Sequence, residues 1–177
     1  IWWVEYADLS GYRVDTYPYN SRDEITQWTK AIMDEYPSFS IVAESWVINP
    51  IHLSYWQKDS PIAAMSSFNS QVTHVKDFNL FAAVQDIYQG DTQWWDQKMN
   101  KIYKVFQNDF VYDNPNDLIV FLENHDTSRI NEIASEFYQY KLVTTLLATV
   151  RGVPQTYYGT EIIMRGAKEK GDADLRS

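Results

Sequence analysis

The strongest constraint on this chain is a regular alternation of short apolar runs with stretches of helical periodicity. The run GYRVD (11–15) reads as a strand ending in a loop. Residues 21–37 open with Ser21 and Glu24 at capping-box spacing, and Ile25, Trp28, Ile32 and Tyr36 recur at helical intervals up to Pro37. FSIVAE (39–44) is a short apolar strand, whereas 46–70 is long, polar and aromatic, more loop than element. Weak alternation over 72–78 predicts a strand, 79–89 a helix and 93–108 a further amphipathic helix. DLIVFLEN (117–124) is a strongly apolar strand, 135–150 a buried helix, and GVPQTYYG (152–159) a strand bounded by glycines. Strand and helix in succession predict parallel βα units. No solenoid repeat or low-complexity segment interrupts them.

Charged groups sit where this architecture makes them expensive. Arg13 and Asp15 are two apart, hence on one side of a strand, and unpaired buried charge is costly. One reading is an edge strand with a surface ion pair; the other is a strand whose C-terminal end opens into an active site. Three predicted strands run into carboxylates: Asp15 after GYRV, Glu44 after SIVA and Asp126 after VFLENH. In a parallel βα barrel the C-terminal strand ends share one face, where the loops build the site. Three acids in one pocket are a liability in a structural role. Glycoside hydrolysis needs such a group, with one ionised carboxylate at the sugar cation and one carboxyl donating a proton to the leaving oxygen. Apolar walls and negative neighbours keep such a donor protonated near neutral pH.

Composition removes several alternatives. A net charge of -9 argues against nucleic acid as a partner. No apolar run has the length of a membrane-spanning helix. With Cys at 0 there is neither a disulfide framework nor a thiolate metal site, and His52 and His74 lack metal-ligand spacing and read as structural or surface residues. No glycine-rich phosphate loop joins a strand to a helix, which sets aside a flavodoxin-like nucleotide binder. Aromatic residues make up 16%, suited either to stacking on sugar rings or to core and interface packing. The length of 177 residues is enough for one domain, and the start IWWVEYADLS carries no initiator Met or signal pattern, so a piece of a longer protein is expected.

At the strand-end residues the sequence resembles the α-amylase family of retaining α-glucan hydrolases. GYRVD (11–15) is similar to that family's Gly-x-Arg-x-Asp fourth strand, and IVAESW (41–46) to the fifth-strand motif with its acid Glu, in the Glu-x-Trp form of neopullulanase-like and maltogenic members. FLENHD (121–126) resembles the seventh-strand motif, and GVPQTYYGTEIIM (152–164) the eighth strand and its loop. The resemblance implies a partial TIM (β/α)8 barrel, approximately strands four to eight with their helices, occupying 1–177. It implies Asp15 as nucleophile, Arg13 keeping it ionised and oriented, and Glu44 as general acid and then base. Asp126 would bind sugar hydroxyls with His125 donating a hydrogen bond beside it, and Trp46 would be a stacking wall, or else a core or lid residue. In the eighth-strand loop, Asp172 and Arg176 resemble a sugar-binding Asp-x-x-x-Arg pair, with a solvated loop ion pair as the alternative.

Two departures qualify this picture. Pro18 and Tyr19 stand where many α-amylases carry a Lys-His pair lining the aglycone side, which bears on the product pattern. The third-strand Asp-x-x-x-Asn-His motif, which supplies part of a calcium site, is missing, as are the first strands and the C-terminal β-domain. The expectation is a half-barrel with no metal or cofactor of its own, calcium belonging to a full-length parent. That parent would cleave α-1,4-glucosidic bonds in starch-like glucans from the periplasm or outside the cell. The half-barrel alone would turn over almost nothing and would self-associate as a dimer. The alternative is a non-catalytic glucan-binding or scaffolding member of the family, although such relatives typically lose one of the acids kept here.

Overall fold

In the computed structural model, which describes residues 1–89 and 98–176, the chain begins with a helix, α1 (Trp2–Ala7), that no periodicity announces. Only Val4 of its six residues is buried. Trp2 and Tyr6, one turn apart, stack with ring centroids 4.7 Å apart. The described residues form two units, one of Ile1–Phe78 with Asn108–Ile119, the other of Asn79–Gln107 with Val120–Ser177.

In the first unit, β1 (Gly11–Val14) lies parallel to β2 (Ser40–Ala43), with Gly11 opposite Ser40 and Val14 opposite Ala43. Gly11 has to be glycine-sized, since a Cβ there would stand 2.6 Å from the Ser40 carbonyl oxygen. The crossover is α2 (Arg22–Glu35), which buries Thr29 and Ile32 and stops ahead of Pro37. Its expected capping box does not form: Ser21 occupies the N-cap without a side-chain hydrogen bond, leaving Asp23 and Glu24 to complement the helix dipole.

The stretch 46–70 corrects the expectation of a loop. It contains α3 (Pro50–Ser54) and α4 (Pro61–Ala64), each with Pro in its first turn. Asn49 caps α3 by accepting from the His52 N–H at 2.9 Å, and Ser60 caps α4 by accepting from Ala63 at 3.3 Å. Helices of one turn have no periodicity to read, but the cap-then-proline signature was present. β3 (His74–Val75) pairs parallel with β2 and is far shorter than the predicted 72–78. Lys76 already bridges to Ile119, and α5 (Phe78–Gln89) begins two residues later. Tyr17, Ile32, Ile41, Leu53, Trp56, Val75 and Leu118 are among the core residues of this unit.

The second unit carries the remainder of α5 and then α6 (Met99–Phe106); of the helix predicted over 93–108, residues 93–97 lie outside the described residues. β4 (Ile119–Phe121), on whose first residues the unit boundary falls, is the trimmed form of the predicted 117–124 strand. A short α7 (Ile130–Ile133) precedes α8 (Phe137–Thr149). There the capping box does exist, with Glu136 and Gln139 each bonding the other's backbone. β5 (Val153–Gln155) pairs with β4, and a long return segment ends in α9 (Asp172–Leu175). Leu80, Val84, Ile102, Val120, Ile130, Val143 and Leu147 build this unit's core.

Candidate active site

In the first unit Tyr12 and Val14 pack on the core, so Arg13 and Asp15 project from the opposite side of β1. Glu44 follows β2 directly, and the end of β1 and the turn after it hold its backbone: its N–H donates to Val14 O at 2.9 Å, and its carbonyl accepts from Tyr17 N–H at 3.1 Å. Arg13 then joins the two acids. Its Nη1 lies 2.8 Å from Asp15 Oδ1, and its Nη2 makes a very short contact with Glu44 Oε1. The expectation gave Arg13 to Asp15 alone; the guanidinium is shared because β2 delivers Glu44 opposite it.

The two carboxylates differ in surroundings. Glu44 has a side chain only 6% exposed, whereas that of Asp15 is 63% exposed. Glu44 Oε2 also accepts from the Thr16 N–H at 3.3 Å. Thr16 is held at φ 49°, a left-handed conformation uncommon for a residue with a Cβ. Motif reading passes over Thr16, because its contribution is a main-chain donor. Trp46 stacks on buried Phe78 with centroids 4.7 Å apart and planes 20° apart, and is itself 42% exposed.

The second unit brings together His125, Asp126, Asp172 and Arg176. Beyond β4 the chain turns tightly: Asn124 N–H donates to Thr127 Oγ1 at 2.9 Å, and Asn124 Oδ1 accepts from Asp126 N–H at 2.8 Å. His125 Nε2 lies 2.9 Å from Asp126 Oδ2, so the His contacts the acid itself. Arg176 donates through Nη2 to Asp126 Oδ1 at 3.1 Å and through Nε to His125 O at 3.1 Å. The same Nη2 sits 3.0 Å from Asp172 Oδ2. Asp172 opens α9 and Arg176 is its C-cap, so the two sit one turn apart as an ion pair with both side chains open to solvent. A Lys168 hydrogen bond, helped by the charges of Arg176 and Lys168, holds the Asp172 carboxyl below its ordinary range.

Sequence reading also missed a buried ion pair in this unit. Glu123 accepts from Ile130 N–H at 2.6 Å and lies 3.6 Å from Arg129, whose side chain is 0% exposed. The available signal was Glu123 itself, a charge within an otherwise apolar run. Among the described residues, no group of three or more His, Cys, Asp or Glu side chains could hold a metal ion. His74 instead bonds the Asp117 carbonyl through Nδ1 at 2.9 Å. No helix among the described residues is long and apolar enough to cross a membrane.

Comparisons with known proteins place these parallel βα units in a family. The α-amylase catalytic-domain family model matches residues 1–176, and the chain belongs to the α-amylase family. A cyclomaltodextrin glucanotransferase of Bacillus licheniformis is 25% identical over 175 residues, 98% of this chain and 22% of that enzyme. Another, from Paenibacillus macerans, is 30% identical over 110 residues, 62% of this chain and 14% of the enzyme. The solved Anoxybacillus α-amylase superposes with a TM-score of 0.79 at 25% identity, over 98% of this chain and 36% of that one. The α-amylase of Geobacillus thermoleovorans, complexed with acarbose, gives 0.78 at 26% identity, over 98% of this chain and 37% of that one. This chain thus spans less than a quarter of those curated relatives and little more than a third of the solved amylases. Its fold is that of the α-amylase catalytic domain, in partial form.

Proposed function

We propose that this chain carries the catalytic carboxylates of an enzyme that cleaves α-1,4-glucosidic bonds by double displacement with retention, and that β1 to β5 correspond to strands four to eight of the barrel. The observation that carries the reading is the single guanidinium of Arg13 placed against both Asp15 and Glu44. One fork spanning two carboxylates supports the close spacing of retaining enzymes, about 5–5.5 Å, over the wider spacing of inverting ones.

In the first step an Asp15 oxygen attacks the anomeric carbon while the bond to the leaving oxygen breaks, and that oxygen takes a proton from Glu44. In the second step water attacks the glycosyl ester, gives its proton to Glu44 and frees Asp15. Arg13 orients the nucleophile, and the Thr16 N–H fixes the other oxygen of Glu44. Asp126, clasped by Arg176 and His125, binds sugar hydroxyls, with Asp172 steadying Arg176. The exposed part of Trp46 offers a stacking face. A sugar hydroxyl replacing water in the second step gives transfer, a reading favoured by the relatives named cyclomaltodextrin glucanotransferases.

The test is the anomeric configuration of the first product released from maltoheptaose, followed by proton NMR with the full-length protein that carries this chain. An α product is expected, and a β product overturns the mechanism. Glu44→Gln should abolish most turnover while glucan binding persists; equal loss of both makes Glu44 a binding or structural group instead. The 177-residue chain by itself should turn over maltoheptaose negligibly, since Asp15 is largely open to water and positioning supplies much of an enzyme's rate.

A further inference from the structure

Asp126 meets Arg176 across fifty residues of chain, so something must hold the return segment after β5 against the turn after β4. That work falls to residues 128–132 and 163–168, most of which lie outside the quoted motifs. Ser128 Oγ accepts from Lys168 N–H at 2.9 Å, Arg129 N–H donates to Gly166 O at 2.8 Å, and Asn131 Nδ2 donates to Ile163 O at 3.2 Å. Glu132 Oε1 accepts from Gly166 N–H at 3.2 Å. The approach is close enough that a Cβ on Gly166 would stand 3.2 Å from Arg129 Cγ and 2.4 Å from Asp174 O.

Arg129 lies at the centre of this seam. Its Nη1 donates to Tyr158 O at 2.6 Å, and its guanidinium lies 4.1 Å from the Tyr157 ring centre and 5.0 Å from that of Tyr158. Its Nε and Nη2 have no hydrogen-bond acceptor among the described residues, so the ring faces carry much of the compensation for burying this cation. Glu123 supplies the counter-charge and also accepts from the Thr160 hydroxyl, fastening the same segment from beneath. Burying an arginine this way is costly, and it is justified where one rigid fork must fix several groups at once.

We propose that Arg129, paired with Glu123, is a positioning residue that sets the return segment so that Arg176 reaches Asp126. This rests on the reading of Asp126 as a sugar-binding group. Arg129 touches no substrate; it acts through the placement of Arg176.

The experiment compares Arg129→Lys and Arg129→Met with the wild-type chain, by amide hydrogen exchange and by maltoheptaose titration. Lysine keeps the charge but cannot bond Tyr158 O and cover both rings together. In both variants the amides of Gly166, Lys168, Asp174 and Arg176 should exchange about tenfold faster or more, while those of Glu44 and Tyr17 stay unchanged. Maltoheptaose should bind about tenfold more weakly, by loss of one charge-assisted contact. Unchanged exchange in the return segment overturns the proposal, as does a loosened segment with undiminished affinity. If the wild-type chain binds no maltoheptaose, the reading of Asp126 as a sugar-binding group in this half-barrel fails, and the exchange measurement alone decides whether Arg129 places the Asp126–Arg176 pair. If Arg129→Met does not fold, Thr160→Val, which removes one tie to Glu123, decides: protected amides there overturn the proposal, and faster exchange supports it.

Discussion

Replacing Arg13 with methionine tests the shared guanidinium most directly, because its two contacts should be worth very different amounts. Asp15 is 63% exposed on its side chain, and such a pair contributes about 0–1 kcal/mol in water. Glu44 is only 6% exposed and would be left with the Thr16 N–H. Losing one partner of a fully buried pair costs about 3–5 kcal/mol. The guanidinium is itself 35% exposed, so solvent screening brings the cost here to about 2–3 kcal/mol. Glu44→Gln keeps an oxygen for Thr16 and leaves Arg13 with Asp15, at a cost of about 1 kcal/mol. The double variant should then be less destabilised than the sum of the singles, with a coupling of about 1–2 kcal/mol. Urea unfolding followed by tryptophan fluorescence is the assay, since Trp2, Trp3, Trp28, Trp46 and Trp56 all lie in the first unit. A loss below about 0.5 kcal/mol for Arg13→Met, or strict additivity in the double variant, would refute the reasoning.

Gly11→Ala should lower stability by about 1–3 kcal/mol, because its methyl would meet Ser40 O at 2.6 Å; an unchanged melting temperature shows that β1 and β2 can part freely. Burial raises the Tyr17 phenol above its ordinary value, so its contribution is complete below about pH 10 and is lost as pH climbs toward the folded-state value. Tyr17→Phe should therefore flatten the alkaline fall in stability, besides losing the bonds to Thr29 and Ser70 O, and an equally steep fall in the variant contradicts this. The chain should also self-associate, since β1 has no strand partner on its outer edge among the described residues and Trp2, Trp3 and Tyr6 are exposed beside it. Light scattering at micromolar concentration showing a 20.8 kDa particle would exclude it.

The elements legible in the sequence were those whose burial is one-sided and long enough to repeat. α2 announced itself through its apolar face, and Ile41, Ala43 and Val120 through dense apolar runs. α8 was expected to be buried, but only Tyr140, Val143 and Leu147 of it are, while Phe137, Tyr138 and Leu142 face solvent. α1 was invisible because its face toward solvent is as aromatic as its core face is apolar. The Ser21–Glu24 spacing suggested a capping box that the backbone declined, while Glu136 and Gln139 made one that passed unremarked. At the candidate site the titratable groups were readable, since charge at a strand end is conspicuous. What fixes them was not: the Thr16 amide has no side-chain signature, and the Arg129–Glu123 pair depends on three segments meeting. Strand lengths were overestimated for a related reason, as apolar residues continue inward past the last ladder hydrogen bond, as at Leu122 beyond β4.

The interleaving of the two units has a consequence for biosynthesis. Val111, Tyr112 and Leu118 belong to the core of the first unit, yet they are translated only after Asn79–Gln107 of the second. A nascent chain paused at residue 107 would hold β1, β2 and α2 over an unsealed base, and the first unit could mature only when residue 119 has cleared the ribosome. No single proteolytic cut can separate the two units with both intact, because the chain passes between them three times, after 78, 107 and 119. A nick after 107 divides both units, whereas a nick after 78 divides only the first and a nick after 119 only the second, so each cut leaves at least one unit in two pieces.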